Sequence, residues 1–166
     1  MRYKIFNAPM PTIAVMTPIA TGTAIKTLLQ LKPFLVGRII EWGIAFDGYT
    51  ADVPVQVELL DTGTVFATVT ASVDAGIFKV DGNDDVAASV GGLTLGTSAT
   101  GYTASDEGTI TTTRVYESVM LAPSTQFCKI DLPLGREHKL IVGNATRIRV
   151  KAAATVNALC WMTLEF

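Results

Sequence analysis

The chain is patterned by alternation. In the stretch VGRIIEWGIAFDGYTADVPVQVELL at 36–60, Ile40, Trp42, Ile44 and Phe46 alternate with Glu41, Gly43, Ala45 and Asp47. A period of two places the large apolar side chains on one face and the small or charged ones on the other, which predicts a half-buried strand. After the turn-rich Asp47-Gly48-Tyr49-Thr50, Val53, Val55, Val57 and Leu59 fall on one face, with Gln56 and Glu58 on the other. The short polar gap predicts that the two runs pair as an antiparallel hairpin, its apolar faces meeting a second sheet. Trp42 is the largest side chain of that core, and burying one of this kind contributes roughly 1.5–3 kcal/mol.

The same period recurs along the chain. Strands are predicted over AIKTLLQL at 24–31, over 64–73 where valine and alanine alternate with threonine, over RVYESVML at 114–121, and around Cys128 and Ile130. Residues 146–152 alternate most cleanly, Ile148, Val150 and Ala152 opposite Arg147, Arg149 and Lys151, and 156–166 supplies a last strand. About eight short strands without an amphipathic helix predict an all-β, antiparallel β-sandwich of jelly-roll type. Two stretches stand apart. Residues 1–23 carry three prolines, which cannot donate to a central ladder, so they are expected to form an extended N-terminal arm lying on the domain or on a neighbouring subunit. Residues 80–113 hold Asp81, Asp84, Asp85, Asp106 and Glu107 with no Lys or Arg, and are expected to be an exposed acidic excursion from a single domain spanning 24–166.

Composition narrows the function classes. At 166 residues the chain suffices for one self-supporting core. With 49% hydrophobic and only 17% charged residues, polar cover is sparse, which predicts a homo-oligomer or another partner over the apolar surface. A net charge of −2 lacks the basic excess that nucleic-acid binding requires. No run reaches the ~18 apolar residues of a membrane span, and Asn7, Pro9, Pro11 and Pro18 interrupt any signal-peptide core.

Candidate chemistry is thin. His138, the single histidine, sits between Glu137 and Lys139 without a nucleophile motif and reads as a solvated surface residue. Cys128 and Cys160 lack metal-ligand spacing; they are either a disulfide or, as Phe127 and Trp161 beside them favour, two buried thiols. Asp81-Gly82-Asn83-Asp84-Asp85 begins like a calcium loop, but Val86 replaces the turn glycine and Gly92 the bidentate glutamate. Gly91, Gly92 and Gly96 do not make a phosphate loop. Asn144-Ala145-Thr146 is a glycosylation sequon by pattern only. The stripe Arg147, Arg149 and Lys151 is read as a solvated outer face, with contact to Glu41, Glu58 or another subunit as its functional reading. No catalytic, cofactor-binding or metal-binding residue is assigned.

The strings PLGRE at 133–137, RIRVKAAATVNAL at 147–159, EWGIAFDG at 41–48 and AIKTLLQL at 24–31 resemble the head decoration, or cement, proteins of tailed bacteriophages. The resemblance implies a β-sandwich seated on the outer surface of an icosahedral capsid, commonly a trimer, with the major capsid protein as partner and no enzymatic activity. It implies a virion protein assembled in the host cytoplasm. Two other readings are open: a tail or receptor-binding module, and a carbohydrate-binding jelly roll, which needs exposed aromatic rings on one sheet face; Tyr49, Tyr102 and Tyr116 are the candidates for such a platform.

Overall fold

In a computed structural model, residues 1–11, 13–47, 53–82, 86–124 and 127–166 are described. Among them the strands are β1 (Arg2–Phe6), β2 (Ile19–Ala20), β3 (Lys26–Leu31), β4 (Arg38–Phe46), β5 (Val55–Asp61), β6 (Thr68–Ala71) and β7 (Phe78–Lys79). They continue as β8 (Gly101–Asp106), β9 (Arg114–Leu121), β10 (Phe127–Asp131), β11 (His138–Lys139), β12 (Thr146–Lys151) and β13 (Asn157–Glu165). One sheet has the order β10-β4-β13-β1-β7, with β11 also on β4 and β2 on β13; the other runs β6-β8-β3-β12-β5-β9. Every ladder is antiparallel, and strands far apart in sequence lie side by side, as in β12 between β3 and β5. The chain is an all-β sandwich with jelly-roll-like interleaving.

Most of the alternating patterns fall where period two puts them, but Ile39 rather than Ile40 is buried, next to a register shift between β4 and β13, and Val53 is exposed. Trp42 and Ile44 from β4 face Val57 and Leu59 from β5 in one core cluster, and all four are fully buried. The expected hairpin does not form, however: β4 and β5 belong to different sheets. Alternation identifies the buried face of a strand but not its hydrogen-bond partner. The eight-residue stretch 47–54 is longer than a tight hairpin loop, so it can carry the chain from one sheet to the other. Trp42 is still the largest buried side chain, and its indole N–H has no hydrogen-bond partner among the described residues.

The N-terminal arm is corrected in part. Residues 2–6 form β1, paired on one side with β13 from Arg2↔Glu165 to Phe6↔Trp161 and on the other with β7. Tyr3 and Ile5 are buried in the core. The prolines begin only at Pro9, so their effect is confined to the segment between β1 and β2, where Ile13 and Val15 are exposed.

The excursion at 80–113 is corrected as well. Its second half supplies β8, which lies inside the six-stranded sheet between β6 and β3. A short helix, Ala88–Gly91, precedes Leu93, which is fully buried and bridges to Pro33. The small residues read as loop composition are a close-packing signature: a Cβ on Gly101 would overlap the Thr70 carbonyl. The strand expected over 64–73 is shorter, confined to Thr68–Ala71.

Candidate functional site

The two arginines of the basic stripe are buried, and only Lys151 is exposed as a solvated face requires. Arg147 is only 2% exposed. Its Nη1 donates to Glu107 Oε2 at 3.4 Å, and its Nη2 to the Val65 carbonyl. Glu107 also accepts from the backbone N–H and, at 2.7 Å, the hydroxyl of Thr27. Burial lowers the guanidinium pKa of Arg147, Glu107 opposes that shift, and neighbouring Arg149 adds to it. Arg149 forks onto Glu58 Oε2 at 2.9 and 3.1 Å, and donates to the Thr111 carbonyl and Thr112 hydroxyl. The expected contact with Glu58 is thus present. Lys151 donates to the Thr23 carbonyl at 2.6 Å. The two arginines fasten the segment joining β8 to β9 over the six-stranded sheet, and Glu107, one of the acids expected in solvent, is the counter-charge of Arg147.

Glu41, the other expected partner of the stripe, lies on the outer face of the opposite sheet. It accepts from Lys4 Nζ at 2.8 Å and Trp161 Nε1 at 2.6 Å, with Lys129 Nζ at 3.3 Å. Burial works against its ionised form, but the hydrogen bonds from Lys4, Trp161 and Lys129 outweigh it and hold the carboxyl below its usual range. Phe6 and Phe78 meet edge-on at 5.2 Å, Phe6 and Trp161 lie 6.1 Å apart, and Lys4 sits over both Phe6 and Trp161. A Cβ on Gly43 would overlap the Trp161 ring, so that glycine is what lets the indole lie on the sheet.

The remaining candidates divide. His138 is half-buried rather than solvated: it stacks on Tyr116 at 4.8 Å, with Glu117 at 3.6 Å. Cys128 and Cys160 are free thiols. Each pairs with Ile44 from opposite sides of β4, so two strand spacings of about 4.8 Å separate them, beyond the ~7 Å Cα limit of a disulfide. Burial raises the Cys128 thiol, helped by Glu117, and raises that of Cys160 well above the usual range. Tyr102 and Tyr116 lie near opposite edges of the six-stranded sheet, on β8 and β9, so they share no platform; Tyr49 lies outside the described residues. So do Asn83, Asp84 and Asp85 of the calcium-like run, and the described residues hold no group of three or more potential metal ligands. Gly91 lies beneath the Tyr3 hydroxyl and Gly92, at φ 145°, beneath the Phe166 ring, so both serve packing. Asn144 donates its side-chain amide to buried Asp61 at 3.0 Å.

One surface cluster has no counterpart in the alternating pattern. Phe34, Leu35 and Val36, between β3 and β4, lie beside Ile141 and Val142, between β11 and β12. Exposures run from 36% at Ile141 to 74% at Val36. The two loops are joined by Gly143 N–H to Pro33 C=O and Leu140 N–H to Gly37 C=O, both at 2.9 Å, and Phe34 N–H donates to Gly92 C=O at 2.9 Å. The patch is therefore a preformed apolar end of the sandwich. Its signal was present: apolar runs between turn residues, FLV after Pro33 and IV before Gly143, fit neither period.

Comparison of the chain with protein-family models, curated proteins and solved structures gives no match.

Proposed function

We propose that this chain is a structural, non-catalytic docking protein that decorates the outer surface of a tailed-phage capsid, seated on the major capsid protein by its apolar end. The observation that carries the reading is the five-residue cluster Phe34, Leu35, Val36, Ile141 and Val142, exposed yet locked by backbone hydrogen bonds. Contiguous apolar surface of this kind marks an interaction site, and preorganised loops bind without a large ordering cost. The conspicuous charges support it indirectly, since Arg147, Arg149 and Glu41 are spent on internal contacts. A trimer on the virion, with no nucleic acid or membrane as partner, belongs to the same reading.

The test is density-gradient purification of particles from the phage that encodes the chain. The expected result is the chain banding with filled heads at a fixed ratio to the major capsid protein. Recovery only as free protein contradicts it.

A second reading rests on the Phe6–Trp161–Phe78 cluster, since aromatic rings on a sheet face also suit sugar rings. Quenching of Trp161 fluorescence by an oligosaccharide identified on a glycan array would favour it over capsid docking.

A further inference from the structure

We propose that a second copy of this chain adds its β9 to β9, antiparallel and in one register, so that the two six-stranded sheets become continuous. The strands at the sheet edges are not alike. β6 has four residues and two register shifts, β7 has two residues, and β10 has five, with Lys129 and Asp131 among them. Short, irregular or charged edge strands of this kind resist pairing with another chain. β9 has eight residues, no proline or lysine and a single register shift, and it pairs with β5 alone among the described residues. None of its residues is fully buried, whereas Val55, Val57 and Leu59 opposite it are. An edge this long is a template for strand addition.

The register follows from the side chains. Glu117, Val119 and Leu121 stand opposite Leu59, Val57 and Val55, which face the core, while Ser118 and Met120 stand opposite Glu58 and Gln56 on the outer face. Tyr116 has no counterpart on β5, and this bulge brings Val115, opposite Leu60, into the same outer row. Paired strands must match face to face, so a slip by one position sets the outer row against the inner. A two-fold axis through Ser118 keeps the faces matched and uses all seven paired positions of β9. It puts Val115 opposite Met120 of the second copy, so the exposed apolar side chains of this row, at 49% and 64%, cover each other. Glu117 falls opposite Val119, Arg114 opposite Leu121 and Ser118 opposite its own counterpart, so no like charges meet. That self-complementarity favours a second copy over a foreign strand, and an isologous pair closes, leaving neither β9 unpaired. The contact lies along a side of the sandwich, not at its apolar end, so it goes beyond the docking reading and does not depend on it. Being two-fold, it is separate from the contacts of a trimer on a shell.

The full-length chain is expected to sediment as a dimer at tens of micromolar in analytical ultracentrifugation. Val115→Lys/Met120→Lys, which sets lysine against lysine on both sides of the axis, should halve the mass to that of the monomer. Val115→Glu/Met120→Lys, which sets glutamate against lysine, should restore the dimer. Thermal melts check that each variant is folded. Ser118→Cys tests the register independently. Its Cα atoms would lie about 5 Å apart across the axis, within the range a disulfide spans. Diamide, which takes up the two electrons and two protons of the thiols, should therefore make that dimer covalent. Met120→Cys, about 13 Å from its own counterpart, should cross-link no more than the wild type, whose Cys128 and Cys160 set the background. A wild type that sediments as a monomer overturns the inference. So does an oligomer that persists in a folded Val115→Lys/Met120→Lys, or equal cross-linking of Ser118→Cys and Met120→Cys. Should a lysine variant fail to fold, wild-type sedimentation and the two cysteine variants decide the question.

Discussion

Arg147 meets Glu107 at 3.4 Å beneath the segment that joins β8 to β9, with the arginine almost wholly buried. The pair ties the middle of an inner strand to a connection that would otherwise lie loose on the sheet. Taking two charges out of water is costly, and their geometry must repay it. Thr27 and the Val65 carbonyl add further hydrogen bonds around them, while the buried Arg147 Nε has no partner among the described residues.

Removing one member should therefore be severe. Arg147→Ala is expected to lower stability in denaturant unfolding by about 3–5 kcal/mol, because it strands the Glu107 carboxylate. Lys151→Ala, at the exposed end of the same stripe, is expected to change it by less than about 0.5 kcal/mol. Losses under about 0.5 kcal/mol for both would mean that the stripe is uniformly solvated.

Glu41 gives a pH dependence on the other face. Its carboxyl is held below the usual value of 4.5 by Lys4, Trp161 and Lys129. A depressed carboxylate stabilises the fold above its unfolded pKa, and that contribution is lost as pH falls through the folded value. The stability difference between wild type and Glu41→Gln, followed by urea melts, should be constant near neutrality and shrink below about pH 4.5. A difference that grows on acidification would reverse the assignment.

Most of what was legible in the sequence was facial. Trp42, Ile44, Val57, Leu59 and Ile148 are buried where period two put them. Pairing was not legible, because alternation in 40–46 and 53–59 is the same whether the strands share a sheet or face each other across the core. Charge on a strand face was misleading for a related reason. Arg147 and Arg149 do point away from the core, but another part of the chain covers them, and no local pattern announces that Glu107 comes back over β12. The apolar end was missed because Phe34–Val36 and Ile141–Val142 come together only in the fold.

The two thiols should behave differently from a cystine. Separated by β4, Cys128 and Cys160 are expected to give an intact mass of the fully reduced chain under non-reducing conditions. Cys160, wholly buried, should react with a thiol reagent only on unfolding. A mass two hydrogens lighter would place the strands in a different register.

Truncation at the N-terminus distinguishes β1 from the proline-containing segment after it. Deleting residues 2–6 is expected to abolish cooperative unfolding, since it removes Tyr3 and Ile5 and opens the ladder between β13 and β7. Deleting 11–16, where Ile13 and Val15 are exposed, should leave the circular dichroism spectrum and melting transition essentially unchanged. Equal tolerance of both deletions would restore the whole stretch to an arm.

The central claim, that the sandwich docks by its apolar end, is tested most directly by hydroxyl-radical footprinting of the chain free and bound to heads. The account predicts that oxidation of Phe34, Leu35, Val36, Ile141 and Val142 falls on binding while Met120 and Phe127, exposed on β9 and β10, oxidise as before. Protection of Phe6 and Trp161, with the apolar end unchanged, would contradict it.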